Sequence, residues 1–291
     1  MSLSILSLHS YPVKSCAGID HTETTISARG LYRDRQWVIV DAQGVFMTQR
    51  QYARMALIRP RFLNADLVLS ATGGMPDISV PWSTGSQRPS QIQVRIWQQD
   101  TLGFDEGDAV AQWLSQFLGL SCRLLRVHPD AHRTASPPHV DAWLEHNTDW
   151  ADGFPASHEF GFADGFPFLI ANQGSLDELN RRLLAKGQPA VPMNRFRPNI
   201  VVQGLDAYEE DYLTGMQTGD LTFAFVKRCA RCPIPNIDQA TAVSAPEPGI
   251  TLAEHRQFAD GVLFGVNAVV SGTGHNTMIH VGDTVELHYD L

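Results

Sequence analysis

The segment Lys227-Arg228-Cys229-Ala230-Arg231-Cys232 has the residues best suited to chemistry, two cysteines three positions apart among three cations. Nearby cations favour the thiolate form of a partly exposed cysteine, and a thiolate is both a nucleophile and a soft metal ligand. The pair is therefore compatible with half of a zinc site, with a redox dithiol, or with a pair in which only one sulfur is functional.

The rest of the sequence disfavours the first two possibilities. A structural zinc site needs four ligands, commonly as two close pairs, but Cys16 and Cys122 are isolated and His275 and His280 stand at no recognisable spacing. A redox dithiol usually lies where a strand runs into a helix, whereas Pro233 follows this pair at once and disfavours a helix start. Two inert, buried cysteines near a strand end remain an alternative on this stretch alone.

Composition limits the class of protein. The 291 residues are 43% hydrophobic and 18% charged, which is typical of a folded chain with one large domain or two smaller ones. A net charge of −9 argues against a general nucleic-acid binder but allows a local basic pocket. Four cysteines are too few for a disulfide scaffold. The sequence has no apolar run of membrane-spanning length and no secretion-signal pattern at its start, so we expect a cytoplasmic protein without membrane partners.

The first part of the chain is rich in strand patterns and ends in a helix. Residues 4–14 and 91–97 read as strands, and residues 35–48 as two strands around a Gln43-Gly44 turn. Residues 105–119 then change to helical periodicity, with Gly119 as the stop signal. We predict a smaller mixed domain over residues 1–128.

The second part, residues 129–291, is predicted to form a mostly antiparallel barrel with one or two helices. Residues 129–160 show no clear periodicity and are interpreted as a loop or connection. Ser175 and Glu178 fit a capping box at the start of a helix that follows the strand-like residues 166–171. Strand patterns recur to the end of the chain, with a bend at Gly282-Asp283. The fold class is thus α+β, mainly β.

Seven stretches in order resemble one protein family. They are YPVKSCAGI (11–19), GLYRDRQWVIVD (30–41), FADGFPFLI (162–170), GSLDELNRRL (174–183), FRPNIVVQG (196–204), KRCARC (227–232) and HVGDTVEL (280–287). Together they are similar to the MOSC domain proteins with an N-terminal MOSC-associated β-barrel domain, which include the molybdenum cofactor sulfurases and the amidoxime-reducing components. The likeness covers nearly the whole chain.

This resemblance implies a molybdenum–molybdopterin cofactor whose metal is bound by a cysteine. The metal ligand falls on Cys232, and Cys229 becomes a neighbour. Ala230 and Arg231 are expected beside the cofactor, where a guanidinium can donate two parallel hydrogen bonds to oxygen atoms.

The cofactor carries a phosphate, and the resemblance assigns its binding to a set of polar residues. They are Lys14, Ser15, Arg35, Arg197 and Asn199. Since Lys14 must then meet Arg197 at one cofactor, we expect the first strand of the chain to be shared with the C-terminal barrel. Four of the five residues have a simpler explanation. Lys14 could be a solvated lysine, Arg35 could form a surface pair with Asp34, Arg197 could pair with Glu209 or Glu210, and Asn199 could be a turn residue.

Three further positions are weaker candidates. The Asp164-Gly165 loop and the helix start at Ser175 would contact the cofactor, the latter through free backbone amides, although Ser175 is explained equally well as a cap. Asp238 would orient the loop after Cys232 or transfer protons; an exposed loop carboxylate is the alternative.

By resemblance, the predicted function is reduction of N-hydroxylated compounds such as amidoximes, hydroxylamines and N-hydroxylated bases. Clustered cysteines of the ferredoxin type are absent, so electrons are expected from a separate ferredoxin, flavodoxin or flavin reductase. Two alternatives stay open: a sulfur carrier that takes persulfide sulfur from a pyridoxal-phosphate desulfurase, and a non-catalytic cofactor-binding module. Pro233 and Asn236 depart from the amidoxime-reducer pattern, which leaves the substrate range open.

Overall fold

The computed structural model of the protein describes residues 3–82 and 90–290, and strands dominate it. The helices of this part are α1 (Asp108–Leu118), α2 (Pro137–His146), α3 (Gln173–Ala185) and α4 (Gly249–Arg256), with short 3₁₀ helices at Ala53–Leu57, Met193–Arg195, Glu209–Tyr212 and Ile234–Asn236. The strands of the first half are β1 (Ser4–Ser10), β2 (Ile19–His21), β3 (Glu23–Ser27), β4 (Gly30–Leu31), β5 (Trp37–Asp41), β6 (Ile58–Leu63), β7 (Asp66–Ala71), β8 (Ile78–Val80), β9 (Gln91–Ile96), β10 (Gln99–Asp105) and β11 (Cys122–Val127). Those of the second half are β12 (Phe168–Asn172), β13 (Ile200–Gln203), β14 (Leu213–Thr218), β15 (Leu221–Ala230), β16 (Gln257–Phe258), β17 (Gly261–Ser271), β18 (Met278–His280) and β19 (Glu286–Tyr289).

The largest sheet closes into a barrel. Its strands run in the order β19-β14-β15-β17-β12-β13-β1-β2, with only the β12–β13 pair parallel among these neighbours. Backbone hydrogen bonds from Ile5 N to Asp283 O (2.9 Å) and from Gly282 N to Ile5 O (2.8 Å) join β1 to the segment before β19. Alternate side chains such as Phe168 and Phe223 fill the interior. The predicted mainly-β fold class is confirmed.

Strand β1 lies in this barrel although it belongs to the N-terminal part of the sequence. It pairs with β13 and β2, and its Ile5 and Leu8 are fully buried in the barrel core. Of the remaining N-terminal strands, β3 and β4 form a sheet with β18, and the others form the sheets β5-β11-β10-β9 and β6-β7-β8, with α1 packed beside them. Helix α1 ends as predicted at Gly119, which adopts φ +80°.

The prediction that residues 129–160 are only a connection is wrong, because α2 lies within them. Pro137 and Pro138 read as breakers, but they occupy the first helical turn, where no backbone N–H is needed. Val140 and Trp143 of α2 are buried against barrel residues, and Trp143 Nε1 donates to Thr214 O at 2.6 Å. Residues 129–290 thus contain three α-helices rather than one or two.

The predicted capping box is also wrong. Strand β12 runs directly into α3, so the cap is Asn172, whose Oδ1 accepts a hydrogen bond from Gly174 N at 2.9 Å. Ser175 lies inside the first turn and Glu178 pairs with Arg181 and Arg182 instead. The second strand predicted after Gln43-Gly44 is reduced to two isolated bridges, Val40 with Phe46 and Val45 with Arg95.

Candidate functional site

A cavity of about 390 Å³ lies where the barrel meets the N-terminal sheets. Both parts of the chain line it, and both cysteines of the KRCARC segment are among the lining residues. Ten of the twelve predicted site residues line it as well: Lys14, Ser15, Arg35, Asp164, Gly165, Arg197, Asn199, Ala230, Arg231 and Cys232. The structure therefore gathers residues that are up to about two hundred positions apart in the sequence.

The cysteines reach the cavity because β15 ends there. Strand β15 extends to Ala230, Arg231 N donates to Val262 O at 2.7 Å, and Pro233 then starts a tight turn. Both cysteines are free and partly exposed. Arg231 lies between them in sequence, and its Nη1 contacts Cys229 Sγ at 3.1 Å. A cation thus lies directly on the first thiol.

Backbone strain concentrates at this cavity. Ser15, Arg35 and Arg197 have φ angles of 64°, 46° and 57°, in the left-handed region that residues with a side chain rarely adopt. Each such residue costs on the order of 1 kcal/mol, and such residues persist where the surrounding structure enforces them, often at ligand sites. Arg35, for example, is fixed by a backbone hydrogen bond from its N to Tyr11 O at 3.0 Å.

Arg197 is a buried cation with few partners. Arg197 is 8% exposed, and its guanidinium lies 4.2 Å from the centre of the Tyr11 ring. Within the described residues, its only side-chain hydrogen bond is a 3.4 Å contact to Gln239 Oε1, and the suggested pairing with Glu209 or Glu210 is absent. Burial lowers the pKa of Arg197 to about 10. A buried guanidinium with unmet donors is costly, so an anionic ligand would fit here.

Arg35 and Asn199 form the wall beside Arg197. Arg35 Nη1 contacts Asp34 Oδ2 at 2.5 Å and Asn199 Oδ1 at 3.0 Å, and the same Asn199 oxygen accepts from Leu169 N at 3.2 Å. The Asp34 pair suggested by the sequence therefore exists, but it is largely buried rather than on the surface. Asn199 is a buried connector rather than a turn residue.

Lys14 is buried and paired rather than solvated. Its ammonium contacts Asp164 Oδ1 at 2.7 Å, and Trp97 Nε1 donates to the same oxygen at 2.9 Å. Burial lowers the pKa of Lys14, and the attraction to Asp164 opposes that shift. The Asp164 loop and the N-terminal sheets are thereby joined at the cavity.

The cavity is strongly cationic in a chain of net charge −9. Its lining contains one carboxylate, Asp164, and six cations: Lys14, Arg35, Arg50, Arg197, Lys227 and Arg231. In addition, the Nε atom of Arg231 is buried and has no hydrogen-bond partner among the residues that the structure describes. Such a surplus attracts an anion such as a phosphate.

Two predicted residues lie outside the cavity lining. Ser175 Oγ is buried and hydrogen-bonds to the Glu210 carboxyl group at 2.8 Å, and it also accepts from Tyr208 N. Asp238 contacts Arg195 Nη2 at 2.8 Å and accepts from Thr241 N at 2.9 Å. Burial raises the pKa of Asp238, but these hydrogen bonds outweigh it and hold the pKa below its ordinary value. Its contacts are those of a residue that holds the loop after Cys232.

Three residues that position the site were not predicted from the sequence. Arg133 Nη1 donates to Gly161 O (2.8 Å) and Ala163 O (2.6 Å), which fixes the backbone before Asp164. Gln49 and Gln239 exchange side-chain hydrogen bonds of 3.1 and 3.0 Å and so join the N-terminal part to the loop after Cys232. None lies in a recognisable motif, and Arg133 falls in the segment without periodicity.

A zinc site is not formed by the residues proposed for it. In residues 3–82 and 90–290, no group of three or more His, Cys, Asp or Glu side chains is arranged to hold a metal ion. The helices of the same ranges are also too short or too polar for any of them to span a bilayer.

Comparisons with known proteins match both parts of the chain to known domains. A family model described as the MOSC N-terminal beta barrel domain matches residues 2–121, and one described as the MOSC domain matches residues 157–286. The human mitochondrial amidoxime-reducing component 1 is 34% identical, over 98% of this chain and 82% of its own. The rat mitochondrial amidoxime reducing component 2 is 31% identical, over 94% and 80%. The human molybdenum cofactor sulfurase is 29% identical over 87% of this chain, which spans only 28% of that protein.

Proposed function

Because this chain belongs to the MOSC domain proteins with an N-terminal MOSC beta-barrel domain, we propose that it binds the molybdenum cofactor in the cationic cavity and reduces N-hydroxylated compounds. The observation that carries the proposal is the single cavity in which two partly exposed cysteines meet six cations and one carboxylate.

The residues of the cavity fit such a cofactor. Within the described residues, Arg197 has unmet hydrogen-bond donors and the buried Nε of Arg231 has no partner. Both guanidinium groups can therefore donate hydrogen bonds to oxygen atoms of a ligand. Cys232 would hold the metal as a thiolate, which is a soft ligand suited to a sulfur-rich metal centre. Arg197, Lys14 and the neighbouring Ser15 would hold the phosphate and pterin oxygens.

The proposed reaction converts an N-hydroxyl group into an N–H group. A hydroxylamine, two electrons and two protons give an amine and one water. The bound cofactor would supply the two-electron chemistry at the N–O bond. The chain's residues would orient the substrate and limit water, since Phe166, Phe168 and Ile234 line the same cavity. The electrons would come from a separate redox protein.

Metal analysis of three proteins tests the proposal. Wild type, Cys232→Ala and Cys229→Ala are purified from a host that makes the cofactor, and molybdenum and released pterin are measured. We expect about one molybdenum per chain in wild type and in Cys229→Ala, and at least a tenfold loss in Cys232→Ala. Reduced wild-type protein should then convert an N-hydroxylated compound to its amine under anaerobic conditions. If the metal-loaded protein converts no amidoxime, hydroxylamine or N-hydroxylated base, then the protein is a non-catalytic cofactor-binding module.

One contact favours a second candidate, a sulfur carrier. Arg231 Nη1 lies 3.1 Å from Cys229 Sγ, so a cation faces the sulfur that would carry the persulfide. The Cys229 thiolate would attack the outer sulfur of a desulfurase persulfide and release the desulfurase thiolate. Metal-free wild-type protein carrying a labile persulfide on Cys229 would support this function and contradict the reductase.

A further inference from the structure

The cavity has a buried cationic side and an aromatic mouth. Lys14, Arg197 and Asn199 are at most 8% exposed, whereas Trp97 is 45% exposed. All four line the same cavity. A cofactor held by the buried residues would leave the mouth for the substrate.

Trp97 is held rigidly at this mouth by both parts of the chain. It is the first residue of the two-residue connection between β9 and β10 and adopts φ +56°. Its Nε1 donates to Asp164 Oδ1 at 2.9 Å. Its ring packs edge-on against the Phe46 ring, with 5.1 Å between the two ring centres. The Arg50 guanidinium lies 4.3 Å from the centre of the ring. A turn with a positive φ angle thus presents a large apolar ring to solvent, and contacts from both parts of the chain hold it there.

A fixed indole stacked with a guanidinium is suited to binding flat conjugated groups. Stacking on an aromatic ring stabilises a planar partner by about 1 kcal/mol or more, and a saturated chain gains less from the same surface. A guanidinium stacks on π-systems in the same way. This chemistry recognises the shape of the substrate rather than its reacting group.

We propose that Trp97, together with Arg50, determines substrate specificity by favouring compounds in which the N-hydroxylated group is attached to an aromatic ring. The inference rests on the proposed reductase function and goes beyond it by assigning the substrate class and the residues that select it. Trp97 contacts the flat part of the substrate and takes no part in the reaction itself.

The test compares an aryl amidoxime with a small alkyl amidoxime in wild type, Trp97→Ala and Trp97→Phe. In Trp97→Ala, we expect kcat/KM for the aryl substrate to fall about tenfold, mainly through a higher KM, with less than a twofold change for the alkyl substrate. Trp97→Phe keeps a ring but loses the hydrogen bond to Asp164, so most of the preference should return. Tyr212→Ala, at an aromatic residue that is 70% exposed and outside the cavity, serves as the control and should behave as wild type.

Binding of the aryl amidine, the product without the hydroxyl oxygen, separates this inference from the proposed function. Its dissociation constant is measured by calorimetry with cofactor-loaded protein and needs no turnover. The wild-type protein could prove inactive and still bind the aryl amidine about tenfold more tightly than Trp97→Ala. That result would contradict the proposed reductase function but support the role of Trp97 in binding aromatic compounds. Equal losses for aryl and alkyl substrates, or unchanged binding in Trp97→Ala, would overturn the role of Trp97.

Discussion

Arg197 combines two properties that each lower the stability of the cofactor-free protein. It is buried with unmet donors, and its backbone has a positive φ angle. Buried Arg256 differs, because its guanidinium pairs with Asp211 and its Nε donates to Leu263 O at 3.3 Å. Two arginines of similar burial are therefore expected to have opposite effects on stability.

We predict that Arg197→Met leaves the free energy of unfolding of the cofactor-free protein unchanged or raises it by about 1 kcal/mol. Methionine fills similar space without a charge to desolvate, and the backbone strain stays the same in both proteins. The same substitution should lower molybdenum content at least tenfold, because the phosphate loses its buried cation. Urea unfolding and metal analysis measure the two effects.

Arg256→Met is the matched control. It leaves the Asp211 carboxylate buried without its partner, so we expect a loss of about 3 kcal/mol. If Arg197→Met costs as much as Arg256→Met, then Arg197 is a structural residue and the ligand-site interpretation fails.

Glu210 connects the 3₁₀ helix Glu209–Tyr212 to the start of α3 through side-chain hydrogen bonds. Its carboxyl group contacts Ser175 Oγ at 2.8 Å and Asn172 Nδ2 at 3.0 Å, and the residue is 1% exposed. Burial raises its pKa to about 7, although these hydrogen bonds oppose the shift. The folded protein therefore favours the protonated form of Glu210.

This shift predicts a stability that falls as pH rises. Below pH 4.5, the ordinary pKa, Glu210 is protonated in the folded and unfolded states, and its contribution is fully present. The contribution, about 3 kcal/mol at most, is lost as pH rises through about 7. Glu210→Gln mimics the protonated form, so it should match wild type at pH 5 and be more stable at pH 8.5. Urea unfolding at both pH values measures this, and a constant difference between the two proteins would contradict it.

The elements also show how far sequence patterns reach. The helix at 108–118 and the strands of the barrel have clear apolar periodicity, and they were predictable. Helix α2 was not, because its prolines look like breakers until their place in the first turn is known. The cap of α3 was misplaced because Ser175 and Glu178 have the right spacing while Asn172, at the strand end, is the residue that reaches Gly174 N.

Site residues were predictable to the extent that they lie in motifs. Lys14 and Arg197 lie in stretches that resemble the family, and the structure gathers them at one cavity. Arg133, Gln49 and Trp97 depend on contacts between distant segments, such as the Trp97 hydrogen bond to Asp164. No local pattern encodes such contacts, so these residues needed the three-dimensional structure.

The barrel is built from both parts of the sequence, because strands of the N-terminal part and of the C-terminal part pair in one sheet. Strand β1 supplies Ile5 and Leu8 to the barrel core and lies between β13 and β2. Without it, the edge of β13 and the backbone at Gly282 lose their partners. The cavity is shared in the same way, because Lys14 and Arg35 face it from one part and Cys232 from the other.

We therefore predict that residues 129–291 do not fold as a separate domain. Expressed alone, this fragment should aggregate or give a poorly dispersed NMR spectrum, since the barrel lacks an interior strand and exposes apolar core. Co-expression of residues 1–128 with residues 129–291 introduces the same chain break but keeps every strand, so the two fragments should associate and elute together at the size of the intact chain. Size-exclusion chromatography and NMR provide the measurement. A monomeric 129–291 fragment with a well-dispersed spectrum would contradict this prediction, because it would show that the barrel folds without β1. The barrel would then be an independent domain, and the N-terminal part would only complete the cavity.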